Sequence, residues 1–162
     1  MVKYEPPQTG LEGFTMNPAR IRYDAYRLLA TIYASQRFPH EPIDTEDPRS
    51  LAHLASEFEA DEITHLLLTI AIAVRTTLNH ETERAGLVCG ELADASGTKP
   101  LALREACNKV IHAEKIRADV ELDGSRVVRQ NPIMHLEGEA PSGERWTARL
   151  ELEPFGKHLL GL

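Results

Sequence analysis

Arg104, Asn108 and His112 recur at four-residue intervals within segment 101–115, LALREACNKVIHAEK. On a helix that spacing stacks them in one column. An arginine pairs phosphate bidentately, an amide orients a neighbour, and an imidazole gains or loses a proton near neutral pH, so the trio suits phosphate contact combined with proton transfer. It equally suits a solvated helix face bridged by Glu105 and Lys109. Leu103, Ala106, Cys107, Val110 and Ile111 fall together on the other side as an ordinary core stripe. The column therefore climbs the flank of a helix anchored by apolar residues. His112, nearly opposite the stripe, faces solvent, a second layer or another subunit.

Three further groups carry side chains of chemical interest. His53, Glu57, Asp61 and His65 also stand four apart, and on one unbroken helix two imidazoles and two carboxylates would align as ligands for a divalent metal. Asp61 reads instead as a cap that breaks the helix, which leaves no metal or other cofactor expected. Arg117, Arg145 and Arg149, with Arg126 and Arg129 nearby, sit among Glu121, Glu137, Glu151 and Glu153; cross-strand ion pairing explains them better than polyanion contact. Trp146 is expected in the core between sheet and helix rather than as a base-stacking platform. His80, with Glu81 and Glu83, reads as a solvated helix end. HExxH, P-loop, Rossmann and GxSxG patterns do not occur.

A chain of 162 residues with 42% hydrophobic and 27% charged residues is long enough to bury a core without metal or disulfide staples. Residues 1–98 hold 8 Lys/Arg against 15 Asp/Glu, while residues 99–162 hold 10 against 10, for a net charge of −7. Its overall field does not favour nucleic acid, so RNA contact would need a local patch. The opening residues lack the apolar run of a signal peptide, and the longest apolar stretch, 66–74, is too short to cross a bilayer. Cys89 and Cys107 lack metal-type spacing and read as two buried thiols. These features together predict a cytoplasmic protein with no membrane contact.

The elements that must position the column follow from periodicity. Residues 1–16, with Pro6, Pro7, Gly10 and Gly13, read as an arm, laid over a partner subunit in one version. Asn17 caps and Pro18 opens a helix ending near residue 37, with Ile21, Ala25, Leu28, Leu29, Ile32 and Tyr33 on its apolar face. The proline- and acid-rich segment 39–48 is a loop. Leu51, Leu54, Ala55 and Phe58 mark a second helix, and 63–78, apolar around most of its circumference, marks a central buried stretch that Asp61 either starts as a third helix or continues from the second. Segment 83–99, carrying Gly86, Gly90 and Gly97, predicts a loop with room for one helical turn. After the organising helix, Ile116, Ala118, Val120 and Leu122 alternate with charged residues as a half-buried strand. Asn131 and Pro132 interrupt the next strand, and Trp146, Ala148, Leu150 and Leu152 belong to a third. The expected architecture is one α+β domain. It has an arm (1–16), a helical part (17–115) of three or four helices, an antiparallel sheet of about three strands (116–153) and an apolar tail (154–162).

Segment 107–112, CNKVIH, resembles the terminal-helix signature of HEPN domains: an arginine, then a polar residue such as Asn, then a histidine four to six residues beyond the arginine. Asn108 and His112 match the later positions; Cys107 stands where the arginine is expected, and Arg104 lies one turn earlier. The resemblance implies a helical domain, and in many such domains a metal-independent endoribonuclease whose paired subunits face one another across a cleft. The segment REACNKVIHA with the downstream hairpin is also similar to small bacterial proteins of unassigned function. Without a complete catalytic set, the leading expectation is a non-enzymatic accessory or regulatory domain that binds a protein partner or itself, as a homo-oligomer such as a dimer. The alternative is a metal-independent ribonuclease, with His112 as general base, Asn108 positioning and Arg104 on the phosphate.

Overall fold

The computed structural model describes residues 17–37, 51–77, 86–123 and 127–161, with side chains described for 17–35, 58–77, 86–118 and 132–161. The arm 1–16, the loop 39–48, His80 with Glu81 and Glu83, and the side chains of His53, Glu57, Arg126 and Arg129 lie outside the described residues.

Asn17 begins helix α1 (Pro18–Arg37) as its residue type dictates: its Oδ1 accepts the Ala19 N–H at 3.0 Å, and Pro18 occupies the first turn, where no N–H is needed. Ile21, Ala25, Leu28, Leu29 and Ile32 are buried as the pattern requires. Tyr33 is not on that face; it is 42% exposed and belongs to a different side of the helix. Helix α2 (Leu51–Thr77) runs unbroken through Asp61, so of the two readings the continuous helix holds and the cap at Asp61 does not. Ile63, Leu66, Leu67, Ile70, Ala71 and Val74 bury one side, whereas Ile72 and Phe58 remain exposed, so the helix is less enclosed than its composition suggests.

Segment 83–99 departs most from expectation. Instead of a loop it supplies strand β1 (Val88–Asp94) and the start of β2 (Gly97–Ala102), an antiparallel hairpin inside the part expected to hold only helices and loops. The glycines that suggested a loop serve the hairpin. Gly97 takes φ 112° at the turn, where Asp94 Oδ1 accepts the Ser96 N–H at 2.9 Å. Gly90 has φ 155° beside the irregular register between Val88 and Glu91, where a Cβ would sit 2.0 Å from the Arg149 carbonyl oxygen.

Helix α3 (Leu103–His112) follows β2 directly. Strands β3 (Lys115–Asp123), β4 (Val127–Glu139) and β5 (Arg145–Glu151) form the expected meander, starting one residue earlier and ending two residues earlier than read from sequence. Pro132 does not break β4. Between Ala118 paired with Met134 and Val120 paired with Gln130 the register slips, and the bulge absorbs a residue that cannot donate to the ladder. The tail is helix α4 (Leu152–Leu160), with Pro154 in its first turn. Phe155 and Leu159 are buried, and Gly156 lets α4 lie against Leu29 of α1, where a Cβ would be 2.8 Å from the Leu29 Cγ.

The class is α+β: four described helices and one antiparallel sheet of five strands in the order β2-β1-β5-β4-β3. Two more strands are present than the alternation of 116–153 supplies, because β1 adds to the free side of β5 through Gly90–Leu150 and its neighbours. Residues Leu92, Met134, Leu136, Trp146, Ala148 and Leu150 face the helices and are buried; Glu91, Glu137, Thr147 and Arg149 point the other way. Strands β2 and β3 are opposite edges, about 19 Å apart at about 4.8 Å per strand gap. Ten helical residues span about 15 Å, so α3 bridges the sheet from one edge to the other.

Candidate functional site

Both ends of α3 are pinned to the sheet region. The Leu103 N–H donates to the Leu87 carbonyl at 2.7 Å, and the Glu114 N–H donates to the Glu137 carbonyl at 2.8 Å. Leu103, Ala106, Cys107 and Val110 are buried, which fixes the rotation of the helix and turns the Arg104–Asn108–His112 column outward. Arg104 and His112 are exposed and Asn108 half-buried. Cys107, at the position where the resemblance expects an arginine, points into the core; burial raises its thiol pKa above the ordinary range, and burial followed by the Glu151 charge pushes that of Cys89 up to about 12. Both cysteines are free.

The column gains a member that spacing along α3 cannot reveal. Arg75, in the last turn of α2, places Nη1 3.4 Å from Nε2 of His112 across 37 residues of sequence. A guanidinium has only donors, so for a hydrogen bond the ring nitrogen must accept, which requires a neutral imidazole protonated on Nδ1. A cation near the carboxyl end of a helix also offsets the partial negative charge of its free carbonyls. Among the described residues no carboxylate pairs with Arg75.

Two shallow hollows flank this contact. One, about 330 Å³, is lined by Arg75, Ala102, Arg104, Glu105 and Asn108. The other, about 580 Å³, is lined by Arg75, Asn108, Lys109, His112 and Glu114 together with Glu139, Pro141 and Trp146. Arg75 and Asn108 belong to both. The acids at the rim are already engaged: Glu105 with Lys109 at 3.4 Å, Glu114 and Glu139 with Arg145 at 3.2 and 3.4 Å. Lys109 turns away from the column and lays its ammonium 4.4 Å from the centre of the Trp146 ring. That ring is buried, as expected; it props the helix and is not free to stack on a ligand. The Arg75 and Arg104 guanidiniums, the Asn108 amide and the His112 imidazole share this outer flank, and donors of these types suit an oxyanion.

The other candidates resolve differently. Asp61 and His65 are both exposed on α2, and no group of three or more metal-ligating side chains occurs among the described residues. Arg117 and Arg145 pair with Glu137 and Glu139 of β4, each at 3.4 Å, and Arg149 pairs with Glu151, so ion pairing accounts for these arginines. Arg117, His135 and Arg149 nonetheless lie directly opposite one another across three strands, lining a hollow of about 550 Å³ on the open sheet face. No described helix is long and apolar enough to cross a membrane. Comparison with protein-family models, curated proteins and solved structures gives no match.

Proposed function

We propose that this chain is a non-enzymatic accessory or regulatory binding domain whose recognition surface is the outer flank of α3, completed by Arg75. The observation that carries the reading is the Arg75–His112 contact: a guanidinium placed beside the column with no described carboxylate to neutralise it. Such a group is a ready partner for an anion. Arg75, Arg104 and Asn108 line one open hollow, so a phosphate or carboxylate displayed by a protein partner meets several donors at once. Nε2 of His112 already faces Arg75, which supports a positioning role more than proton abstraction.

Titration calorimetry with inorganic phosphate, and with a peptide ending in a free carboxylate, tests the reading. Arg75→Ala or Arg104→Ala is expected to weaken the bound anion about 10- to 100-fold, the range for losing a charged hydrogen bond. Equal affinity in wild type and both variants contradicts the proposal. The ribonuclease alternative has its own test in mixed RNA with chelator present. Cleavage that disappears in His112→Ala would replace the binding reading by the enzymatic one.

A further inference from the structure

The Arg75–His112 contact joins a permanent cation to a group that is a cation only part of the time. A guanidinium holds its charge at every pH at which the chain is folded. An imidazole acquires one between about pH 8 and about pH 5. With Arg75 Nη1 3.4 Å from His112 Nε2, a proton on that nitrogen sets two positive groups side by side, each with donors and no acceptor between them. An oxyanion seated against both supplies the acceptor and offsets both charges.

The other charged groups around the ring leave that role open. Lys109, one turn back on α3, lays its ammonium over Trp146. Glu114, just beyond α3, and Glu139 of β4 line the same hollow as His112, and both are held by Arg145 of β5 at 3.2 and 3.4 Å. Arg104, at the far end of the column, lines the neighbouring hollow with Glu105, which pairs with Lys109. Around the ring, among the described residues, the cations Arg75, Lys109 and Arg145 thus outnumber the carboxylates Glu114 and Glu139 before the ring takes a proton.

We infer, resting on the anion-binding reading of this flank, that protonation of His112 switches the site: the charged ring and the bound oxyanion stabilise one another, so the anion is held more tightly in mildly acidic than in mildly alkaline solution. Such coupling is reciprocal, and the proton strengthens the anion's hold by the same factor as the anion strengthens the proton's. One added charged contact at a solvent-exposed position sets that factor at about 5- to 10-fold, equivalent to a rise of about 0.7 to 1 pH unit in the midpoint of the ring's titration.

Sulfate is the probe, because a phosphate group changes its own charge in the same range. Two measurements on the full chain at constant ionic strength test the switch: calorimetric titration with sulfate at about pH 5.5 and about pH 8, and the proton-resonance titration of the His112 ring with and without saturating sulfate. The wild type is expected to bind more tightly at the lower pH by the factor above, and the His112 midpoint to rise with sulfate bound. In His112→Gln the two affinities are expected to converge, whatever their absolute value. Equal wild-type affinity at both pH values, a midpoint that sulfate does not move, or a pH dependence retained in His112→Gln overturns the inference; if Arg75→Ala still weakens sulfate in that case, the anion site itself stands. Absence of saturable sulfate binding at either pH overturns both.

Discussion

Gly138 shows how closely the candidate site is tied to a single atom. A Cβ at this position of β4 would lie 2.3 Å from Cζ2 of Trp146 and 2.9 Å from the His112 carbonyl oxygen. Neither group has room to give, since the Trp146 ring is buried under Lys109 and the carbonyl belongs to the last residue of α3. Gly138→Ala is therefore expected to lower unfolding stability by about 1–3 kcal/mol, read from a urea midpoint, and to displace the end of α3. Movement of the His112 amide resonance in the folded variant checks the second effect. An unchanged midpoint would mean that the ring and the helix end shift freely. Arg75 is the residue-scale feature that sequence reading missed. Its partner is 37 positions away, and nothing in the periodicity of α2 marks it, because a basic residue at a helix end is ordinary.

The β1–β2 hairpin makes its own prediction at the scale of an element. Asp94 is held well below the usual carboxylate range, at about 2, chiefly by the side-chain hydrogen bond from Lys99 and then by those from Ser96. A depressed folded pKa contributes stability above the unfolded value of about 3.9, and that contribution is lost as pH falls through about 2. Ser96 amide exchange in the hairpin is expected to quicken between about pH 4 and pH 2, and Asp94→Asn to abolish that step; a step unchanged in Asp94→Asn would place its origin elsewhere. The same hairpin marks the limit of legibility. Strand β5 was readable because Trp146, Ala148 and Leu150 alternate with exposed residues, and α3 because its apolar stripe is complete. Strands β1 and β2 were not, because a bulge at Gly90 spoils the alternation of Cys89 and Leu92, and β2 is an edge strand buried only at Leu101. Asp61 misled in the opposite direction: a residue that favours caps sits inside α2, where Glu62 pairs with Arg27 and the buried Ile63 and Leu66 hold the helix through it. Spacing groups Tyr33 with the core, yet its hydroxyl bonds Glu153 of α4 at the surface.

Across the whole molecule the fold does one thing for the candidate site. The five-stranded sheet has its two edges at the far ends of α3, and the helix between them is fixed in rotation by four buried residues, so the column has one direction in which to point. Helix α2 then delivers Arg75 alongside. Because the chain as a whole is acidic, this cationic flank acts locally and not through a long-range field. Anion binding there is expected to weaken as ionic strength rises from about 0.01 to about 0.15 M, since the exposed arginines lose their reach as the screening length falls from about 30 to about 8 Å. Affinity independent of salt would point to a buried apolar contact instead.

The central claim is that Arg75 joins Arg104, Asn108 and His112 in one anion-binding surface. Its most direct measurement is a nitrogen-15 resonance titration of the intact chain with inorganic phosphate. Saturable shifts are expected at the Arg75 and Arg104 side chains, the Asn108 amide group and the His112 ring, with the outer sheet arginines unmoved. Shifts confined to Arg117 and Arg149, or no saturable shift on α3, would contradict the account.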